Sequence, residues 1–249
     1  MKSLVVDSSS GGTGSGGSTE DIIARSGSDA KVTWIDTVKF VVNTITHVLI
    51  GFVFIYTIWV CWKYGLEQIF AWHVVLCMTG FNLLMAEAIL LFYSGNTWSQ
   101  VMLHPQRRTV HWILQVVGSL CVIVGIALEY YWRDINNKLH FHDTHSILGL
   151  VALILMLLSM TNGLGALFSV ELRRKIKPVY MKLGHQFVGL CCFVIGMAAL
   201  VLGFDKKIFR NNSTPEMRTT LQVFTVLVIL TSSLGVIRTI LSQLKTLFR

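Results

Sequence analysis

Four histidines, His73, His111, His145 and His185, stand at the starts of four consecutive apolar blocks, and that placement can do chemistry. An ionisable side chain inside a membrane is costly to bury, so each is a functional candidate by default. Because successive helices run in opposite directions, His73 and His145 share one level while His111 and His185 share the other. Two facing neutral imidazoles can hold one iron from opposite sides, as a low-spin b-type haem is held without a covalent link. The sequence contains no C-x-x-C-H, which excludes haem c. The expected cofactors are therefore two non-covalent haem b groups, with the four histidines as axial ligands of the iron. Taken singly, each histidine reads better as a helix cap or an interfacial hydrogen-bonding group. Their recurrence in four successive blocks favours the paired reading. Glycine follows each at matched spacing: Gly149 and Gly189 come one turn after His145 and His185, and Gly80 and Gly118 come seven residues after His73 and His111. Such glycines leave room for a flat macrocycle beside its ligand.

The elements that must position these residues are membrane spans. Of 249 residues 53% are hydrophobic and only 14% charged, against roughly a quarter charged in a soluble domain. The apolar residues run in long blocks near 37–60, 72–93, 110–132, 144–168, 183–203 and 220–241. Each is long enough to cross a hydrocarbon core of about 30 Å as a helix. Their continuous apolarity excludes an ordinary water-soluble enzyme and argues against an alternating barrel. The expected fold is an all-α membrane protein of six transmembrane helices, the central four forming the bundle that holds both haems. Residues 1–33, rich in Ser and Gly, are expected to be a disordered cytoplasmic tail, 34–242 the six-helix domain, and 243–249 a short cytoplasmic end.

Orientation follows from the basic residues. The tail, the second and fourth loops, the C-terminal end and the adjoining ends of the first and last blocks hold fourteen of the 21 Lys and Arg, with Arg107, Arg108, Arg173, Arg174, Lys175 and Lys177 beside span ends, so both termini are expected in the cytoplasm. The only sequons, at Asn211 and Asn212, then fall on the lumenal or external side. The five cysteines, Cys61, Cys77, Cys121, Cys191 and Cys192, lie in or beside apolar blocks without metal-type spacing and read as packing residues.

Other polar groups take more modest readings. His47, some ten residues into the first block, is expected between the two levels as a hydrogen-bonded packing residue. Glu87 and Asn162 fall at the level of His111 and His185. Glu87 would pair with Arg107 or Arg108, or else relay a proton released by an enediol donor. Arg107, Arg108 and Lys182, one turn before His111 and His185, would draw an anionic reductant, although the ordinary excess of basic residues in cytoplasmic loops also accounts for them. Trp72, Tyr130, Tyr131 and Trp132 at the opposite mouth read as an interfacial belt, and His104, His140 and His142 as loop histidines.

Several stretches are similar to the cytochrome b561 family of transmembrane reductases, in particular its short animal members made of little more than that domain. The carriers are Phe70 to Val74 around His73, Met85 to Ala88 around Glu87, Arg107 to Gln115 around His111, His145 to Gly149, and Lys182 to Gly189. The resemblance covers residues 34–242. It implies a lipid-embedded dihaem enzyme, often a homodimer, that oxidises cytoplasmic ascorbate and reduces monodehydroascorbate radical or ferric iron on the other side. Carried over by position, His73 and His145 would ligate the non-cytoplasmic haem, His111 and His185 the cytoplasmic one, and Arg107, Arg108 or Lys182 would contact ascorbate. The endoplasmic reticulum or another endomembrane is the expected location, and nucleic acid is not an expected partner. Where the family often has Pro after the first of these histidines, this chain has Val74, which implies an altered helix entry without loss of haem. Two other classes stay open at this point: a haem-bearing subunit that hands electrons to a partner protein, and a haem-free transporter. The second calls for broken helices and polar mid-membrane residues, where this chain has mostly Leu, Val and Ile.

Overall fold

The computed structural model describes residues 33–168, 171–174 and 177–248. Six helices are long and apolar enough to cross a membrane: α1 (Trp34–Tyr64), α2 (Ile69–Leu90), α3 (His104–Ile135), α4 (Thr144–Leu167), α5 (Pro178–Gly203) and, after the short α6 (Lys207–Asn212), α7 (Pro215–Leu247). The protein is an all-α, multi-pass membrane protein, with no strand among the described residues. Residues Val38–Arg249 form one compact unit, and the architecture below is that of this unit. The expected disordered tail, save Thr33, lies outside the described residues, as does Lys175.

All six expected spans are present, and α1, α3, α5 and α7 run beyond their apolar blocks by one to two turns at one or both ends. Hydropathy marks only the part that lipid requires, whereas caps decide where a helix starts. The three prolines of the chain, Pro105, Pro178 and Pro215, each occupy the first turn of a helix, where the missing N–H costs nothing. Thr214 caps α7 by accepting from Met217 N–H, and Asp143 caps α4 by accepting from Ser146 N–H at 3.0 Å. The turn between α1 and α2 passes through Gly65 at φ 111°, a conformation that side-chain-bearing residues rarely adopt.

Asp143 also meets Lys206 Nζ at 3.0 Å. Burial pushes its carboxyl up, but the Ser146 N–H and the Lys206 ammonium outweigh that and hold it at about 2. The folded value lies below the ordinary carboxyl value of about 3.9, so the contribution is complete above that pH and is lost as pH falls toward 2. Asp143→Ala is expected to lower stability by about 1 kcal/mol at neutral pH. In thermal melts of detergent-solubilised protein, the gap between wild type and variant should close between pH 4 and 2.

The central core draws on every spanning helix: Ile50 from α1, Phe81 and Met85 from α2, Val122 from α3, Ala152 and Met156 from α4, Phe193 and Met197 from α5, and Val228 from α7. A second cluster joins α1, the start of α2 and the α5–α7 connection through Val53, Val60, Ala71, Met78, Phe204, Phe209 and Leu221. Large apolar side chains such as Ile154, Leu157 and Leu158 stay exposed, as a lipid-facing surface requires. The cysteines are free, with Cys61, Cys77 and Cys192 buried in packing positions.

Midway along α2 the helix is not α-helical. Residues Thr79–Met85 form a π-helical turn, after which α geometry resumes at Ala86–Leu90.

Candidate functional site

The four histidines meet in two pairs between helices. His73 of α2 faces His145 of α4, with ring centroids 6.4 Å apart and planes at 88°. His111 of α3 faces His185 of α5 at 6.1 Å and 90°.

Each imidazole is oriented by a backbone carbonyl on the neighbouring antiparallel helix. Nδ1 of His73 donates to Gly125 O at 2.9 Å, and Nδ1 of His111 donates to Ala88 O at 2.9 Å, so α2 and α3 each give the other an acceptor. Nδ1 of His145 donates to Ala199 O at 2.8 Å and Nδ1 of His185 to Ser159 O at 3.0 Å, so α4 and α5 do the same. A carbonyl can only accept, so all four Nδ1 atoms carry the proton, and each neutral ring keeps its Nε2 lone pair for another partner.

The spacing suits a shared iron. Metal–imidazole bonds of about 2.0 Å, with about 1.1 Å more from nitrogen to ring centre, call for centroids about 6.2 Å apart across one metal. The two pairs lie at 6.4 and 6.1 Å. The residues present therefore fit a bis-imidazole group at each level.

Beside His73 and His145 opens a cleft of about 1020 Å³ of unfilled space, its mouth included, bordered by Phe70, Phe81, Gly149, Gly196 and Gly203. At its mouth Arg133 pairs with Glu129 at 2.6 Å, and the His140 ring stacks on Tyr130 at 4.1 Å. Among the described residues no group of three or more His, Cys, Asp or Glu side chains could hold a separate metal ion there.

The glycines divide the work differently from the expectation. A Cβ at Gly149 would meet nothing within 4 Å, so this glycine does border open space. Gly80 and Gly118 instead face each other where α2 crosses α3: a Cβ at Gly80 would lie 2.7 Å from Gly118 O and 2.4 Å from Val122 Cγ2. They permit helix contact and make no room for a macrocycle. Gly189 lies against Ser159 Oγ, in the contact of α4 with α5. The glycines beside the imidazoles are Gly163, where a Cβ would lie 3.2 Å from His185 Cε1, and Gly203, where it would lie 3.3 Å from His145 Cε1. Each follows a histidine of its own helix by 18 residues, or five α-helical turns. That regularity was legible, but the histidine it serves belongs to the neighbouring helix.

Glu87 also departs from the expectation. It pairs with neither Arg107 nor Arg108; Oε1 meets His47 Nδ1 at 2.7 Å and Oε2 accepts from Trp98 Nε1 at 3.1 Å. His47 Nε2 faces Asn96 Oδ1 at 3.3 Å. His47 is thus a hydrogen-bonded residue as expected, but it lies beside Glu87, at the His111/His185 level and not between the levels. Arg107 is held by the carbonyls of Met102 and Gln100, at 3.1 and 3.3 Å, whereas Arg108 and Lys182 are exposed.

A six-span helical membrane protein that frames two imidazole pairs at opposite ends of its central helices is the class this geometry defines. Residues 72–210, which include all four histidines, match the family described as eukaryotic cytochrome b561. The chain belongs to that family. It is 31% identical over 137 residues to the mouse transmembrane reductase CYB561D2, covering 55% of this chain and 61% of that protein. It is 26% identical over 185 residues to the Xenopus tropicalis plasma membrane ascorbate-dependent reductase CYBRD1, covering 71% and 64%. It is 24% identical over 149 residues to the mouse lysosomal membrane ascorbate-dependent ferrireductase CYB561A3, covering 58% and 59%. The match thus spans about three fifths of the length of these relatives.

Proposed function

We propose that this protein is an oxidoreductase that carries single electrons across a membrane between two b haems. It would oxidise cytoplasmic ascorbate at the His111/His185 end and reduce monodehydroascorbate radical or ferric iron at the other. The observation that carries this reading is the pair of facing imidazole couples, each at a separation that admits one iron, with all four Nδ1 atoms committed to backbone carbonyls. The names of the relatives supply ascorbate as donor and iron as one acceptor.

A haem b held at each pair would supply a reversible one-electron couple. The protein's own residues do the rest. The carbonyl bonds fix tautomer and ring orientation and raise the basicity of Nε2. Apolar packing from Phe81, Met85, Phe193 and Met197 keeps water from the space between the levels. Arg108 and Lys182, exposed beside the His111/His185 pair, would draw an anionic donor, while Arg107, already tied to two carbonyls, would add positive potential. Each helix separates its own histidine from the carbonyl serving the other pair by 14 or 15 residues, about 21 Å of rise, so the levels stand about two thirds of a hydrocarbon core apart. With both termini in the cytoplasm, an electron leaving a negative compartment would gain about 2.3 kcal/mol per 100 mV.

The test is a visible spectrum of purified protein with haem quantified per chain, before and after ascorbate and then dithionite. Two haems per chain with substantial reduction by ascorbate are expected. Two haems reduced only by dithionite would point instead to a subunit fed by a partner protein. Folded protein without haem, after expression with haem supplied, would overturn the ligand assignment.

A further inference from the structure

The four carbonyls that receive the imidazole N–H groups lie at nearly constant spacing from the histidine of their own helix. Gly125 follows His111 by 14 residues, Ser159 follows His145 by 14, and Ala199 follows His185 by 14. Ala88 follows His73 by 15. In a continuous α-helix one extra residue rotates everything beyond it by about 100°, and the carbonyl at 88 would turn away from α3. Yet it meets His111 Nδ1 at 2.9 Å, as closely as the others meet theirs. The helix with the extra residue is the one containing the π turn, Thr79–Met85. A single π turn absorbs one residue of an α-helix and appears frequently at functional sites.

Consecutive residues of this turn reach three different helices. Gly80 lies against Gly118 and Val122 of α3, and the Phe81 ring fills the space where Gly196 of α5 lacks a side chain. Asn82, fully buried, donates from Nδ2 to Ile50 O of α1 at 3.0 Å. Its Oδ1 has no partner among the described residues, a cost accepted in the middle of an apolar core. Beyond the turn, Glu87 and Ala88 point their polar groups to different places: the Glu87 carboxylate to His47 and Trp98, the Ala88 carbonyl to His111.

We propose that the π turn is a positioning device for the His111/His185 site: it takes up the fifteenth residue so that the Ala88 carbonyl orients the His111 ring, and Asn82 is the side chain that holds the turn against α1. The inference rests on the haem reading above. The His73/His145 pair does not depend on the turn in this way, because its acceptors, Gly125 and Ala199, lie on α3 and α5.

Inserting one alanine after Leu83 adds a residue beyond the one that a single π turn absorbs and turns the Ala88 carbonyl by about 100° away from α3. Low-spin ferric haem signals in electron paramagnetic resonance report ligand orientation at each site separately. With the full chain purified and loaded, the wild type is expected to give two such signals. The insertion is expected to shift or abolish the signal of the His111/His185 haem and to leave the other in place. If the insertion does not yield folded protein, Asn82→Leu preserves chain length and is expected to shift the same signal selectively. Two wild-type signals left unmoved by Asn82→Leu, or by a folded insertion, would overturn the role of the turn alone. A wild type lacking two such signals would overturn the haem reading and this inference with it.

Discussion

His111→Ala is expected to leave the protein with one haem per chain, to abolish fast reduction by ascorbate, and to leave the remaining haem reducible by dithionite. The physical reason is the division of ligands. His111 and His185 form one couple and His73 and His145 the other, and no histidine is shared. Removing one imidazole leaves His185 alone against Gly163, with space where the ring of His111 lay. The His73 side chain loses nothing directly, because its acceptor is Gly125 O, on α3 but 14 residues further along. Free imidazole added during expression or reconstitution should enter the vacated space and restore part of the second haem, which a general folding defect would not allow. A folded variant retaining two haems per chain would sink the pairing.

Gly80→Ala is expected to reduce haem at both sites at once, although position 80 touches neither pair. Its Cβ would come within 2.7 Å of the Gly118 carbonyl, a backbone atom that cannot turn aside, and within 2.4 Å of Val122 Cγ2. Overpacking of a well-filled contact commonly costs about 1–3 kcal/mol, and here it must be relieved by moving α2 from α3. Those two helices exchange both of their imidazole–carbonyl bonds, His73 to Gly125 O at one end and His111 to Ala88 O at the other. Separation therefore disturbs both levels together. Haem per chain and thermal stability of the purified protein should fall in parallel, whereas Gly51→Ala on α1, whose Cβ meets no neighbour within 4 Å, should leave both nearly unchanged. Equal behaviour of the two variants would refute this account of Gly80.

The six spans and the two histidine levels were legible because membranes impose simple rules on sequence. A helix must be apolar for about 20 residues to cross, and an ionisable residue within it needs a reason to be there. The prolines were equally informative, each marking a first turn. Glu87 was not legible in the same way. Its partner His47 lies forty residues earlier on another helix, while Arg107 and Arg108 were the nearer cations along the chain. Proximity in sequence favoured the arginines, but α1 packs against the end of α2 and supplies the closer base.

By itself, the sequence determined the class of the fold, the number of spans and which four imidazoles stand at which level. These follow from hydropathy, alternation of helix direction and residue type, all properties local to a helix. Only the tertiary structure decided which carbonyl each Nδ1 meets, which glycines lie beside imidazoles, and why α2 departs from α geometry. Each of those depends on the rotation of one helix about its axis relative to another. A single residue changes that rotation by about 100°, and side-chain packing between helices fixes it. The fifteen-residue interval in α2 was present in the sequence from the start, but it acquires meaning only when the π turn brings Ala88 beneath His111.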